Sequence, residues 1–436
     1  MKTEIFFKLS SFQVLAYFRR GMFYAFLSLY LHFVLGFSVT ESTFFATFSM
    51  LASSIAQSFI WGPIADKIYN RKYMVVWSEI LAAIGIFIVW WLHNQAYTNY
   101  SPYIAGWVIT IGLTFVETIW SASNVAWAAL LADVTEQKDR SSMMGRLGAF
   151  GGIGRMIGVG AAALLYSYGG NEGGGFLLGP LFFLTSLVIF LTAIIMQSSV
   201  SNKDLVYRDK ERKSSIDSSV QDSSINPNRN SFNVILFTLF LISLALINFG
   251  RNSVVIISNF FLVHRFNANE LVIGAFEGIS SFSIIVAGLI TPLLVRKLGD
   301  WKVYMIATVF VMISLIAFVF SPFLLLTLIF GFNIWFVHLI LEATSYSIVA
   351  GMIPPHSRGK LFGIYNAAFF LSWGIGGTFF TGPITDYLIN SNFDEVYAYT
   401  VAYISAALVV FLGLILALFI YYKYSKKHEK LSKQLI

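Results

Sequence analysis

The chain has 436 residues, 57% of them hydrophobic and 12% charged, with a formal net charge of +7. Soluble domains carry about 25% charged residues, so there is too little polar surface here for a water-soluble globule, and most side chains must face lipid. The absence of cysteine excludes disulfides and Cys-ligated metals, and the cations gather in short loops, which argues against a nucleic-acid surface.

A helix crosses a bilayer with about 20 apolar residues. The first apolar run begins near Phe12 and reaches about Phe37. It outlasts a signal-peptide core of about 7–15 residues and has no small-residue cleavage site, so it is predicted to be a retained first helix. In all, twelve spans are predicted, over residues 12–36, 42–65, 73–93, 102–132, 145–168, 175–197, 232–262, 270–295, 302–320, 323–351, 360–385 and 395–423. None shows the strict alternation of a membrane β-barrel strand.

The loops give an orientation. One set holds Lys67, Arg71 and Lys72; Lys138, Arg140 and Arg146; the run from Lys203 to Lys213; Arg296, Lys297 and Lys302; and Arg358 and Lys360. The tail adds Lys423, Lys426, Lys427, Lys430 and Lys433. The alternate loops carry no Lys or Arg except Arg265. The positive-inside rule then places both termini in the cytoplasm of a multi-pass plasma-membrane protein. Trp90 and Trp91 fall at the outer interface, and Tyr421, Tyr422 and Tyr424 at the inner one. Asn99-Tyr100-Ser101, in an exterior loop, fits a glycosylation sequon.

Residues 198–231 are rich in Ser, Asn and charge and lack apolar periodicity. They are predicted to be a disordered or loosely helical cytoplasmic linker between an N-terminal six-helix bundle, 1–197, and a C-terminal one with a basic tail, 232–436. The halves repeat. A shift of 229 residues lays Gly21 on Gly250, Phe37 on Phe266, Glu41 on Glu270 and Pro63 on Pro292. A shift of 218 lays Arg140 on Arg358, Gly145 on Gly363, Ile157 on Ile375 and Gly158 on Gly376. Two six-helix halves of one orientation suit a transporter that rocks about a central site.

Between the second and third spans lies "GPIADKIYNRKYM", Gly62 to Met74. It resembles the signature loop of the major facilitator superfamily, here Gly62, Asp66, Lys67, Arg71 and Lys72. A decayed copy, "TPLLVRKLGDWK", keeps Arg296 in the second half. The resemblance covers all twelve spans. It implies an all-α membrane protein of two pseudo-symmetric six-helix bundles that carries a small solute by alternating access. It also gives the loop a gating role, with Asp66 as a weak latch on cations of the opposite half; exposed pairs contribute only about 0–1 kcal/mol. The cations of the loop also serve topology.

A charge in mid-membrane costs at least about 2.5–3.5 kcal/mol and points to function. In the superfamily, spans 1, 4, 7 and 10 line the cavity, and here these carry Arg19 and Arg20, Glu117, Arg251 and Glu342. Helical spacing extends the charges into polar stripes: Arg20 with Tyr24; Glu117 with Ser121 and Asn124; Asn248 with Arg251, Asn252 and Asn259; His338 with Glu342 and Ser345. Glu117 is the first candidate for a coupling proton, the set as a whole for substrate. The alternative is a static Arg20–Glu117 or Arg155–Glu117 pair between helices. Arg155 stands in "GGIGRMIGVG". No strand precedes it and the glycine spacing fails a dinucleotide fingerprint, so Gly152, Gly154 and Gly158 are read as close helix packing. The stretch also resembles the Gly-Pro-x-x-Gly signature of the superfamily's antiporters at Gly154 and Gly158, with Arg155 in place of the proline. Glu79 is read as a lesser site that snorkels to the cytoplasm, and Glu277 as another lesser site.

The functional expectation is a secondary transporter of a small organic solute, proton-coupled, monomeric and without cofactor. Export of amphipathic compounds and uptake of an anionic solute are both open. A membrane-embedded enzyme would need a concentrated acid or His/Asp cluster, and the acids here are dispersed. A receptor that has kept the transporter shape is the remaining alternative.

Overall fold

The computed structural model describes residues 3–68, 70–134, 140–199, 234–353, 361, 364–365, 368–369 and 372–434. The predicted linker beyond Ser199 and the side chain of Asp66 lie outside the described residues, as do Lys138, Arg358 and Lys360. Among the described residues, ten helical stretches are long and apolar enough to cross a membrane. The first predicted span is helix α1, Thr3–Leu29, of 27 residues, or about 40 Å at 1.5 Å per residue. It is not among the ten, and Arg19 and Arg20 interrupt its apolar course. The eleventh predicted span is described only in part. Large apolar side chains point outward along the helices, among them Phe59, Trp77, Leu164 and Leu289, an exposure that water would penalise and hydrocarbon does not.

Contacts divide the chain into two compact units. One is Met1–Phe37 with Phe48–Arg229; the other is Ser38–Thr47 with Asn230–Ile436.

In the first unit, α1 is followed by α2 (Phe44–Ala56, whose first four residues belong to the second unit), α3 (Gly62–Lys67), α4 (Lys72–Asn99), α5 (Pro102–Val134), α6 (Arg140–Leu165), the single turn α7 (Gly174–Leu177) and α8 (Pro180–Ser199). Five-residue π-helical turns extend α1 at Tyr30–Val34 and join α2 to α3 at Gln57–Trp61. Helices α1 and α6 cross backbone to backbone. A Cβ at Gly154 would collide with the Val14 carbonyl oxygen, and one at Gly158 with that of Phe18. The glycine-rich stretch around Arg155 is thus a packing surface, the arrangement small residues permit in membranes.

The second unit holds α9 (Val234–Ser253), α10 (Ile257–Phe266), α11 (Glu270–Leu298), α12 (Asp300–Phe320), α13 (Leu324–Met352), α14 (Ser372–Gly376), α15 (Gly382–Asn390) and α16 (Glu395–Gln434). A π-helical turn, Gly377–Thr381, joins α14 to α15. The predicted seventh span is not one helix. The chain turns at residues 254–256, directly after the polar run Arg251-Asn252-Ser253. A Cβ at Gly376 would come close to Ser253 and to the Phe249 carbonyl oxygen on α9.

Candidate functional site

In the first unit the polar residues of α1, α4, α5 and α8 converge on Trp120. Arg19 and Arg20 follow one another on α1, and both guanidinium groups lie over the Trp120 ring, 3.4 and 4.5 Å from its centre. This is the geometry of cation–π attraction, which strengthens where water is excluded. The indole N–H of Trp120 donates to Glu79 Oε1 at 2.7 Å. Ser123 donates to the same oxygen at 2.6 Å, and Thr192 of α8 to Oε2 at 3.1 Å. Arg19 Nη1 stands 3.8 Å from Oε2.

This corrects the reading of Glu79. It is 0% exposed and does not snorkel; hydroxyl, indole and guanidinium donors satisfy it inside the bundle, as a buried carboxylate requires. Among the described residues of this unit, Arg19 and Glu79 form a buried ion pair. Sequence reasoning missed it because Glu79 is joined to its partners only through three other helices. The one available signal was a lone acid in an otherwise apolar span.

Glu117 stands apart from that knot. Its carboxylate accepts the hydroxyl of Tyr24, seven residues from Tyr17 on α1, and Arg20 reaches instead to Asn124 Oδ1 at 3.3 Å. Glu117, Arg20, Tyr24 and Asn124 are all half-buried. The four expected site residues of spans 1 and 4 thus form two adjoining pairs, Tyr24–Glu117 and Arg20–Asn124. A small cavity touches Arg19, Tyr24, Glu117, Trp120 and Thr185. Arg155 is half-buried on α6, where its backbone carbonyl abuts Gly21.

In the second unit, Arg251 is 0% exposed. Its Nη2 donates to Asn252, whose amide donates onward to Ser372 at 3.0 Å. Its Nε and Nη1 have no hydrogen-bond partner among the described residues, nor does the carbonyl oxygen of the buried Asn248. The acid whose field reaches Arg251 is Glu342, half-buried on α13. Beside Glu342, Ser345 shares a hydrogen bond of 2.9 Å with Tyr365. Asn259 belongs to a different cluster and donates to the buried Glu277 at 3.4 Å.

The charged loop folds onto its own unit where its side chains are described. Gly62 opens α3 with Pro63 in its first turn, where a missing N–H costs nothing. Arg71 donates to the carbonyls of Ala65 at 3.2 Å and Ala129 at 3.5 Å, and Lys72 to that of Gln197 at 3.3 Å. Gln197 lies in the last turn of α8, whose carbonyls attract cations. Lys67 and Arg296 are exposed. Asp386 escaped sequence reasoning altogether: it accepts the backbone N–H groups of Val39 and Thr40, both at 2.9 Å. The sequence did carry a signal, because Gly-Pro-Ile-x-Asp occurs at 62–66 and again at 382–386.

Comparison with known proteins agrees with this architecture. The structure is similar over nearly its whole length to the nucleoside transporter NupG, with a TM-score of 0.69 at 14% identity, covering 96% of this chain and 99% of the other. It is similar to a bacterial metal transporter, with a TM-score of 0.66 at 13% identity over 97% and 99% of the two chains. A bacterial homolog of the human lysosomal transporter Spinster gives 0.67 at 12% identity, over 98% of both chains. At such identities these likenesses concern the fold. No curated protein matches the sequence. The family model of the Major Facilitator Superfamily matches residues 9–377, and the chain, a multi-pass membrane protein, belongs to that superfamily.

Proposed function

We propose that this protein is a secondary active transporter that moves a small organic solute by alternating access, coupled to protons. The observation that carries the reading is the Tyr24–Glu117 pair beside Arg20–Asn124 on α1 and α5. A carboxylate with a single described side-chain partner, half-buried in a membrane helix, can take up and release a proton at modest structural cost. Glu79 is instead held by three hydrogen-bond donors and Arg19. One proton crossing 100 mV supplies about 2.3 kcal/mol, enough to concentrate a solute some tens-fold. In this reading the loop at Gly62, Asp66, Lys67, Arg71 and Lys72, with Arg296 in the second half, gates the cycle, and the protein works as a monomer in the plasma membrane with both termini in the cytoplasm.

Arg251 favours uptake of an anionic solute over export of amphipathic compounds. Two of its guanidinium nitrogens have no acceptor among the described residues, and a solute carboxylate or phosphate supplies one. The test is flux into proteoliposomes under an imposed pH gradient, run over a panel of anionic and neutral solutes. Gradient-dependent accumulation of an anion supports the reading. Absence of flux for every solute, with the protein correctly folded, would leave the receptor alternative standing.

A further inference from the structure

The turn joining α11 to α12 carries a feature that transport does not use. Below it, α11, α12 and α13 enclose a groove of about 210 Å³ walled by Leu294, Leu298, Val303, Ile306, Phe310 and Phe336. Phe310 lies seven residues beyond Val303, so the groove runs about 10 Å along α12. It opens sideways, since Leu298, Ile306 and Phe310 are all exposed. Lys297 lies three residues after Leu294 and Lys302 four before Ile306, spacings that bring each lysine to the groove side of its helix. Both lysines are exposed, and neither forms an ion pair among the described residues. Arg296 leaves α11 on the face opposite Leu294 and Leu298, at 100° per residue. The acid of the turn, Asp300, is half-buried and occupied by the Ser347 hydroxyl at 2.7 Å.

We propose that this groove is a binding site for an anionic phospholipid, with one acyl chain between α11, α12 and α13 and the phosphate on Lys297 and Lys302. Any bilayer lipid can fill the apolar part. Charge complementarity selects the headgroup, because two cations without a carboxylate partner among the described residues meet a net negative phosphodiester but gain less from a zwitterion that brings its own ammonium. Each cation near an anionic membrane surface contributes about 1 kcal/mol, or roughly fivefold in affinity, so the pair gives roughly 25-fold preference.

Native mass spectrometry of the full chain, titrated with equal amounts of phosphatidylglycerol and phosphatidylcholine, reads this directly. The wild type should retain phosphatidylglycerol at least tenfold over phosphatidylcholine. The double variant Lys297→Gln/Lys302→Gln should lose most of that preference, while Arg296→Gln, with a charge removed from the opposite face, keeps it. Ile306→Trp, which fills the groove, should reduce retention of both lipids. The proposal fails if the wild type shows no preference, if the double variant keeps it, or if Arg296→Gln loses as much as the lysine variants.

Discussion

Asp386 holds the backbone at Thr40. Its Oδ2 accepts the Thr40 N–H at 2.9 Å and its Oδ1 that of Val39 at the same distance. Beside this clamp the hydroxyls of Thr43 and Thr47 meet that of Thr378 at 2.6 and 2.7 Å. All of these residues belong to the second unit. Hydrogen bonds to a charged acceptor contribute about 1.5–3 kcal/mol, so Asp386→Ala should lower the apparent melting temperature clearly. Asp394→Ala removes a carboxylate that accepts one N–H, from Tyr397 in the exposed first turn of α16, and should cost about 1 kcal/mol or less. Thermal unfolding of the two purified variants compares them; equal losses would mean that the clamp is not a stabilising element.

How far this arrangement was legible follows from what kind of interaction made it. Lipid forces every span to be apolar and helical, so hydropathy located α5 at 102–132 where the helix runs Pro102–Val134. The glycines of α6 were readable for the same reason, since little else lets membrane helices approach so closely. The break after Arg251 was not readable, because apolar residues continue on both sides of it. The partners of Glu79 and Glu117 depend on which helix faces which, and a period of 3.6 residues does not specify neighbours. Asp386 was passed over because charge was the guide to the loops and its loop has no cation, although the five residues Gly382 to Asp386 match Gly62 to Asp66 in four positions. Each copy also follows a π-helical turn, Gln57–Trp61 and Gly377–Thr381.

The Arg19–Glu79 pair makes a sharper prediction about folding. Removing one member of a buried ion pair strands the other, at about 3–5 kcal/mol. Glu79→Gln should therefore reduce the yield and melting temperature of the protein far more than Glu117→Gln, although both replace one carboxylate on a membrane helix. Fluorescence-detected gel filtration after graded heating measures this. If Glu79→Gln is as stable as the wild type, the indole and hydroxyl donors suffice and the ion pair is incidental.

The α1–α6 crossing can be tested by adding a single methyl group. At Gly154 a Cβ meets the fixed carbonyl of Val14, whereas at Gly160, on the same helix, nothing lies within 4 Å. Gly154→Ala must push the two helices apart, with a loss of about 1–3 kcal/mol as in overpacked cores. Gly160→Ala should be neutral or slightly stabilising, because alanine is the better helix former by about 1 kcal/mol. The same heating assay distinguishes them, and a tolerant Gly154 would show that the crossing has slack.

Arg251 separates stability from function. Among the described residues two nitrogens of this buried guanidinium lack acceptors, and a buried polar group left without a hydrogen-bond partner costs about 1–3 kcal/mol. Arg251→Met should therefore melt at or above the wild-type temperature. If the guanidinium serves an anionic solute, the same variant should lose uptake of that solute by tenfold or more, the pattern expected where stability has been given up for activity. Transport assays and melting curves on one preparation test both halves of the claim. Unimpaired uptake with a lowered melting temperature would make Arg251 a structural partner of Asn252 and Ser372, and would remove the main reason for preferring an anionic substrate.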